Sequence, residues 1–425
     1  MKRRVFIIGG GAAGLLAAGQ AVENGAEVVI LEKMNQPGRK LRITGKGRCN
    51  LTNVASISEF IPHFGQNGKF LRQSFQRFFS QELIEFLGKL SIQTVIERGG
   101  RVFPKDCRAP DITDKLQEWV VRSGAVIKTR HRVHELILKG DRIQSISFKH
   151  KSQTGPGQYK EGISLESGDR IILATGGSSY PATGSTGDGY RIAARLGHTI
   201  IPIRPALVPI ETQGDTARRL KGLHLRNISA RLLSNGKTQA EAFGEMDFTD
   251  FGVTGPIILT LSRKIVDSLN KNEKASLSLD LKPALSLQQL DARLLRDLND
   301  GGKKSFRQIL RGLLPLKLIP ICLEQTGVPR DKLGHQITAQ ERSELHSWLK
   351  NFCLDIRGSR PLSEAIITAG GIDLSEVDPR TMASRLIKNL YFAGEVLDID
   401  ADTGGYNLQA AFSTGWLAGT SAAEK

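Results

Sequence analysis

The segment that decides the fold is VFIIGGGAAGLLAAG, residues 5–19. Its first four residues, Val5–Ile8, are apolar and predict a strand, and the run after the glycines has the spacing of a helix. A second apolar run, Val28–Leu31, follows. Strand, glycine turn, helix and strand in this order predict a βαβ unit with two parallel strands.

The glycines of this turn have the spacing of a dinucleotide-binding site. Gly9 permits a tight turn, Gly11 lets a pyrophosphate approach the backbone, and Gly14 lets the helix pack closely on the strand. We expect the phosphates at the free N–H groups of the helix N-terminus, from Gly11 to Ala13. Glu32 ends the second strand and is expected to accept hydrogen bonds from ribose hydroxyls. This pattern is common to FAD and NAD sites, since both cofactors contain ADP.

The composition is that of an ordinary globular protein, with 425 residues, 40% hydrophobic and 24% charged. No apolar run reaches the length of a membrane span, so we expect none. Cys49, Cys107, Cys322 and Cys353 lie far apart and form no CxxC pair, which indicates a reducing compartment. We therefore expect a cytoplasmic protein. The histidines are scattered, and we expect no metal site.

The chain is strongly basic, with a formal net charge of +16. Such a charge permits binding to nucleic acid, to an anionic membrane surface or to a phosphorylated ligand. Solvated surface charge is the favoured interpretation, because no basic cluster with interleaved aromatic residues is evident. We expect a small-molecule substrate and keep nucleic acid as a less favoured partner; the sequence makes no prediction about oligomeric state.

Further motifs resemble those of known flavoproteins. ILATGG (Ile172–Gly177) and LYFAGE (Leu390–Glu395) are similar to the second glycine signature and the C-terminal flavin signature of proteins with two dinucleotide folds. Longer segments resemble the BaiN/YhiN-type family, whose members are described as NAD(P)/FAD-dependent oxidoreductases or aminoacetone-oxidase-family FAD-binding enzymes. These segments are Gly38–Asn53, Arg101–Pro104, Ser179–His198, Gly244–Pro256 and Gly394–Gly415.

The resemblance implies an α/β fold, in which a Rossmann-like FAD/NAD(P)-binding domain of the glutathione-reductase type is interrupted by an α+β insertion domain. We expect the FAD-binding domain at residues 1–196 and 361–425, and the insertion at residues 197–360, strand-rich at first and helical later. Phe248–Pro256, FTDFGVTGP, is expected to contribute to the roof of the substrate pocket; the alternative is a strand–turn–helix junction.

The predicted cofactor is FAD, and its site draws on both the βαβ unit and the resemblance. Arg39 and Lys40 are expected to neutralise phosphate or cover a ribose edge, with ordinary surface charge as the alternative. Val133 is implied to offer backbone groups to adenine, with core packing as the alternative. The predicted cofactor-binding residues are Gly9, Gly11, Ala12, Ala13, Gly14, Glu32, Lys33, Arg39, Lys40, Thr44, Gly45, Arg48, Asn50, Val133, Ala174, Thr175, Gly176, Gly394, Glu395, Asp398, Gly405, Tyr406, Asn407 and Leu408.

Two segments are expected at the redox end of the cofactor. Thr44–Asn50 is expected to run along the isoalloxazine ring, with a structural loop as the alternative. Glu395 is implied at the ribityl chain, and Asp398 is a candidate for a second contact there. Asn407 is expected to cap a helix that begins near Leu408 and directs its N-terminus at the flavin.

The catalytic residues are less defined. Tyr180 and Tyr406 are candidate proton donors, and Arg48 is a candidate for binding flavin or substrate. Cys49 is expected to be a small buried residue beside the flavin, because no histidine or second cysteine lies near it in sequence.

The resemblance implies an FAD-dependent oxidoreductase, with NAD(P)H as a transient electron donor and an activated alkene or carbonyl as the acceptor. The absence of a second GxGxxG motif predicts that nicotinamide binds without a dinucleotide fold of its own. Two alternatives remain: a flavin oxidase of a small amine or alcohol that uses O₂, and an FAD-containing RNA-binding or RNA-modifying protein.

Overall fold

A computed structural model describes residues 2–151 and 158–424. The chain forms two compact units, Met1–Pro205 with Ala365–Lys425, and Ala206–Glu364. The first boundary lies after the predicted residue 196, because the strand that follows pairs within the first unit.

The first unit contains thirteen of the described strands and seven of the described α-helices. Its strands are β1 (Arg4–Ile8), β2 (Glu27–Leu31), β3 (Thr52–Asn53), β4 (Thr94–Glu97), β5 (Arg101–Pro104), β6 (Val126–Lys128), β7 (His131–Lys139), β8 (Arg142–Lys151), β9 (Gln158–Ser164), β10 (Arg170–Leu173), β11 (Ile200–Ala206), β18 (Ile367–Ile372) and β19 (Leu390–Phe392). Its helices are α1 (Ala12–Glu23), α2 (Ile57–Phe60), α3 (Arg72–Arg77), α4 (Ser80–Lys89), α5 (Ala109–Ser123), α6 (Asp188–Arg195) and α13 (Tyr406–Ala423).

The centre of the first unit is a parallel sheet in the order β19-β10-β1-β2-β6. Ile7 of β1 pairs with Ile30 of β2 on one side and with Ile172 of β10 on the other. These strands are continuous apolar runs because both faces of the sheet are covered. The predicted βαβ unit and the Rossmann-like fold class are thereby confirmed.

Smaller sheets flank this core. Strands β7, β8 and β9 form an antiparallel sheet, β3, β5 and β4 form another, and β11 pairs with β18. Helix α13 packs against α1 through two glycines, because a Cβ at Gly415 would lie 2.3 Å from the carbonyl oxygen of Ala13, and one at Gly419 would lie 2.4 Å from that of Ala17. The C-terminal helix is therefore seated directly on the first helix of the βαβ unit.

The second unit is a closed six-stranded barrel with helices on its connections. Its strands are β12 (Ile210–Thr212), β13 (His224–Ser234), β14 (Lys237–Phe248), β15 (Gly252–Thr254), β16 (Ala275–Asp280) and β17 (Phe352–Ser359). Its helices are α7 (Thr216–Arg219), α8 (Pro256–Asn270), α9 (Leu287–Asp300), α10 (Phe306–Leu310), α11 (Leu318–Thr326) and α12 (Ala339–Lys350). Helices α9–α12 are inserted between β16 and β17, which are antiparallel neighbours.

Short 3₁₀ helices connect the main elements. They span Leu41–Gly47, Ile61–Leu71, Pro181–Thr183, Gly334–Gln336, Leu362–Glu364, Leu374–Glu376 and Gly394–Val396. No helix in the described ranges is long and apolar enough to cross a membrane.

Candidate functional site

A large cavity of the first unit lies where the parallel strands end. The residues that follow β1, β2, β10 and β19 all line it, and so do the first turns of α1 and α13. This is the edge where open α/β sheets bind their ligands, because the loops after parallel strands meet there. The sheet places Glu32, after β2, and Glu395, after β19, three strand spacings apart, which is about 14 Å.

The three glycines of the first turn have different structural roles. Gly9 has a φ of 102°, and a Cβ there would lie 2.5 Å from the carbonyl oxygen of Ala174. A Cβ at Gly14 would lie 2.0 Å from the carbonyl oxygen of Gly9, so close packing of helix on strand requires glycine. At Gly11 a Cβ would meet nothing within 4 Å and would project into open space. Gly11 and the next two residues, Ala12 and Ala13, line the cavity.

Helix α1 presents unpaired backbone donors to this space. Its N-cap is Gly11, whose lack of a side chain leaves the first turn without a side-chain acceptor. The first N–H groups of a helix have no partner within the helix, and together with the helix dipole they favour a bound anion. The turn therefore has both the room and the donors for a phosphate group.

Glu32 braces the glycine turn and faces the cavity. Its carboxylate accepts hydrogen bonds from the backbone N–H of Gly10 at 2.8 Å and of Met34 at 2.7 Å. The side chain is largely buried but lines the cavity. A carboxylate can accept about four hydrogen bonds, so Glu32 retains acceptor capacity for a ligand hydroxyl.

The predicted cations differ in their partners. Arg39 lines the cavity, and no ion pair or side-chain hydrogen bond engages it within the described ranges. Lys40 forms an ion pair with Glu395 at 2.8 Å and donates to Ser179 at 2.7 Å. Lys33 forms an ion pair with Asp188 at 2.6 Å. Arg39 is thus the cation of this group that is left for an anionic ligand.

Glu395 is held in place by several donors. Besides Lys40, the backbone N–H of Thr368 donates to it at 2.8 Å, and the hydroxyl of Ser179 lies 3.3 Å away. The Tyr190 hydroxyl donates to the Glu395 carbonyl oxygen at 3.0 Å, and burial raises the pKa of that hydroxyl well above its usual value. The carboxylate lines the cavity with its orientation fixed.

Asp188 is a cavity residue that the sequence did not predict. It begins α6, and its carboxylate pairs with Lys33 and with Arg132 at 2.9 Å, and also with Arg191. Burial raises the pKa of this carboxyl, but the hydrogen bonds from Lys33 and Arg132 outweigh that effect and lower the pKa to about 2. The signal was present in the motif TGDGYR, where an acid opens a helix.

The first turn of α13 also lines the cavity. The helix begins at Tyr406 with Gly405 as its N-cap, so the prediction that Asn407 caps a helix from Leu408 is wrong. Asn407 lies inside the first turn, where its side-chain oxygen accepts from the Ala401 backbone N–H and its amide donates to the Ala401 carbonyl, both at 2.8 Å. Asn407 and Leu408 line the cavity.

The remaining predicted residues divide into those that line this cavity and those that lie outside its lining. Besides the residues already described, the lining includes Thr44, Val133, Ala174, Thr175, Gly176 and Gly394. Gly14, Gly45, Arg48, Asn50, Tyr180, Asp398, Gly405 and Tyr406 are not part of it. Residues that line it without having been predicted include His131, Thr183, Ser185, Ile366, Ile367 and Ile399.

The catalytic candidates have other contacts. The guanidinium of Arg48 pairs with Glu97 and lies 4.4 Å from the ring centroid of Phe103. Tyr406 is buried, and its ring stacks on His63 with centroids 3.8 Å apart. Tyr180 has a φ of 50° and precedes a short 3₁₀ helix.

Cys49 is fully buried, and Asp398 is half-buried. Burial raises the pKa of Asp398, whose carboxylate accepts from the Asn67 amide at 2.9 Å. Burial raises the pKa of the Cys49 thiol to about 11. Cys49 is therefore a buried thiol, protonated at neutral pH, and the prediction that it is a small buried residue is confirmed as far as burial is concerned.

The cavity fits an ADP-containing dinucleotide. Gly11 leaves room for a phosphate, Arg39 supplies an uncompensated cation, and the hydroxyl oxygen of Thr175 is buried without a hydrogen-bond partner in the described part of the chain. Within residues 2–151 and 158–424, no group of three or more His, Cys, Asp or Glu side chains could hold a metal ion.

Comparison with known proteins identifies the family. Residues 3–421 match the family model described as HI0933-like protein Rossmann domain. The chain is 32% identical over 99% of both sequences to the 3-dehydro-bile acid delta(4,6)-reductase of Clostridium scindens. It is 28% identical to the ribosomal RNA dihydrouridine synthase of Escherichia coli, covering 97% of this chain and 96% of that protein.

Solved structures share the fold at low sequence identity. The 3-ketosteroid delta1-dehydrogenase of Sterolibacterium denitrificans aligns with a TM-score of 0.52 and 13% identity, over 99% of both chains. The 3-ketosteroid-delta4-(5alpha)-dehydrogenase of Rhodococcus jostii aligns with a TM-score of 0.50 and 14% identity, over 100% of this chain and 97% of that one. The family match over nearly the whole chain shows that this protein belongs to the HI0933-like, BaiN/YhiN-type family and is an FAD-dependent oxidoreductase.

Proposed function

We propose that this chain reduces a carbon–carbon double bond conjugated to a carbonyl group, with FAD as cofactor and NAD(P)H as electron donor. The observation that carries the proposal is the similarity, along nearly the full chain, to two relatives with different substrates. The name of one describes reduction of an unsaturated 3-oxo bile acid, and that of the other describes formation of dihydrouridine. In both cases the reduced double bond is conjugated to a carbonyl.

The cofactor supplies the redox chemistry, since flavin can take a hydride from NAD(P)H and pass it from N5 to the acceptor. The protein binds and orients it. In this proposal the N–H groups from Gly11 to Ala13 and the Arg39 guanidinium hold the pyrophosphate, and Glu32 binds the adenosine ribose.

At the other end of the cavity, the fixed carboxylate of Glu395 accepts from the ribityl hydroxyls. The ion pair with Lys40 holds the Glu395 carboxylate in position, so that it is a preorganised hydrogen-bond acceptor. The N-terminus of α13, where Asn407 and Leu408 line the cavity, would stabilise negative charge on a bound flavin through its positive dipole end. Such a helix end contributes about 0.3–1 kcal/mol.

Carbonyl conjugation determines what the protein must add to the cofactor. Hydride addition to the β carbon places negative charge on the carbonyl oxygen, and the α carbon then takes a proton. Tyr180 and Tyr406 remain candidates for that proton and Arg48 for the oxygen. Of the two tyrosines, Tyr406 contacts a further titratable pair: His63 stacks on its ring and lies 3.0 Å from the Asp402 carboxylate.

Uridine in RNA is a second candidate substrate. The specific observation in its favour is the net charge of +16, which suits a polyanion, together with the ribosomal RNA dihydrouridine synthases of Escherichia coli and Haemophilus influenzae, 28% and 29% identical. The bond that would be reduced has the same chemistry. The two candidates therefore share one cofactor site and differ in what binds beside it.

The test is a scan of donors and acceptors under anaerobic conditions. Purified yellow protein is mixed with NADH, NADPH or a panel of small amines and alcohols, and loss of the oxidised flavin spectrum is followed. We expect bleaching by a nicotinamide donor, and reoxidation by enones and not by isolated alkenes. Bleaching by an amine or alcohol alone, with peroxide formed in air, would instead establish the oxidase alternative.

A further inference from the structure

The second unit carries a basic segment, Lys303–Lys317, that contains five cations and no acid in fifteen residues. We propose that this segment is a docking surface for the phosphate backbone of structured RNA. Its charge is concentrated on one short stretch of the helical part of the unit, which makes it the kind of surface that positions a nucleic acid without reading its sequence. The inference rests on the RNA form of the proposed function.

The cations of the segment are not neutralised by the protein. Lys303, Lys304, Arg307 and Arg311 are exposed, and none has an ion pair within the ranges that the structure describes. Three acids of this unit pair with other cations: Asp331 with Arg330, Glu341 with Lys332 and Asp297 with Arg293. Asp300, at the end of α9, forms no ion pair with the four cations in the described ranges. Four positive charges are therefore available to a polyanion.

The segment is held rigidly by the groups between its cations. Phe306 and Leu310 of α10 are fully buried, and Ser305 forms a capping box with Gln308. The backbone N–H of Phe306 donates to the Lys332 carbonyl at 2.7 Å. Because the backbone of the segment is already ordered, binding of a ligand would reduce the conformational entropy of the side chains alone.

The four cations around α10 do not stabilise this helix. Arg307 and Arg311 are four positions apart across the end of α10, and like charges at this spacing destabilise a helix. Arg311, at the C-cap, is partly compensated by the helix dipole. Lys303 and Lys304 precede the N-terminus of the same helix, where a positive charge is unfavourable. A bound polyanion relieves these repulsions.

An anionic membrane fits this segment less well than RNA. Helices that bind membrane surfaces turn their apolar residues outward beside the cations. In α10 the apolar residues Phe306 and Leu310 are fully buried, and Ile309 between them is part-buried. Leu316, 69% exposed, is a single apolar side chain beyond the helix. The surface offers charge and almost no insertable apolar area, as a phosphate backbone requires.

The test compares two variants with the same loss of net charge. The first carries Lys303→Gln, Lys304→Gln, Arg307→Gln and Arg311→Gln. The control carries Arg77→Gln, Lys89→Gln, Arg98→Gln and Lys139→Gln. All four positions are exposed residues of the first unit and form no ion pair with any residue that the structure describes. Binding to transcribed ribosomal RNA is measured across a series of salt concentrations.

The expected result is at least about tenfold weaker RNA binding by the first variant and less than about threefold by the control. Each lost phosphate contact lowers the slope of log K against log salt by about 0.7–0.9, so the first variant should lose about three units of slope. Unchanged binding, or equal weakening in both variants, would overturn the proposal. The proposal would also be overturned if the first variant still bound RNA but no longer bound vesicles of anionic lipid.

Reduction of a small enone is measured on the same preparations. Equal rates in wild type and both variants show that the folded flavoprotein is intact. If no protein reduces the enone while the RNA result stands, the proposed small-molecule activity fails and the docking surface survives.

Discussion

Replacing Gly11 and Gly14 by alanine, one at a time, should separate cofactor binding from folding. At Gly14 the new Cβ would lie 2.0 Å from the carbonyl oxygen of Gly9, about 1 Å inside the 3.0 Å that real Cβ atoms respect. That oxygen is backbone and cannot rotate away, so α1 must shift. Overpacking of this kind costs about 1–3 kcal/mol. We expect a loss near the upper end of this range.

At Gly11 the same methyl group meets no atom within 4 Å, and the φ of −78° suits alanine. The free energy of unfolding of the apoprotein should therefore change by less than about 0.5 kcal/mol. The methyl group projects into the space assigned to the pyrophosphate. A loss of about 2.7 kcal/mol in FAD affinity, which is about a hundredfold, is expected.

The assay uses flavin-free protein. Urea denaturation gives the free energy of unfolding of each variant, and quenching of flavin fluorescence during titration gives the FAD dissociation constant. The reasoning is refuted if Gly11→Ala is as stable as wild type and binds FAD within about threefold of it, because the phosphates then do not cross this turn. It is equally refuted if Gly14→Ala leaves the apoprotein unchanged in stability.

Three further changes probe the surroundings of the cavity. Lys40→Met should lower the free energy of unfolding by about 1–3 kcal/mol, because it leaves the mostly buried Glu395 carboxylate without its cation. Urea denaturation measures this loss, with Lys40→Arg as the control. Asp188→Asn should lower the free energy of unfolding by about 1–2 kcal/mol at neutral pH. The Asp188 carboxyl has a folded-state pKa of about 2, below the usual 3.8, so only its ionised form is stabilised, and the difference between variant and wild type should vanish as the pH falls from about 4 toward 2. A difference that stays constant across pH would contradict this prediction. Gly415→Val should push α13 off Ala13, lower stability by about 1–3 kcal/mol and reduce retained flavin, which absorbance of the purified protein reports.

The sequence was sufficient where one local pattern determines one local structure. The βαβ unit was predicted to within a residue at each strand, because an apolar run, a glycine turn and a helical run leave few other arrangements. Glu32 was placed at the end of its strand by the same logic, and it lines the cavity. Glu395 required the resemblance, since nothing local shows that its strand joins the sheet beside β10.

The sequence was insufficient where distant residues combine. The Asp188 carboxylate is held by hydrogen bonds from Lys33 and Arg132. Both residues lie far from Asp188 along the chain, and no sequence spacing connects them. The closed barrel was missed because β17 follows four helices, and its pairing with β12 and β16 is invisible to local periodicity. The start of α13 was misplaced since Gly405, in the left-handed region with a φ of 98°, caps it, while Asn407 looked like the more usual cap.

The central claim is that bound FAD delivers hydride to a double bond conjugated to a carbonyl. The most direct measurement is an anaerobic single turnover, in which the enzyme flavin is fully reduced, mixed with one equivalent of a dienone steroid acid or of uridine-containing RNA, and both flavin spectrum and product mass are followed. The account predicts return of the oxidised flavin spectrum together with a product heavier by two hydrogen atoms. Flavin that stays reduced with both acceptors, yet reoxidises at once with O₂ to form peroxide, would contradict it.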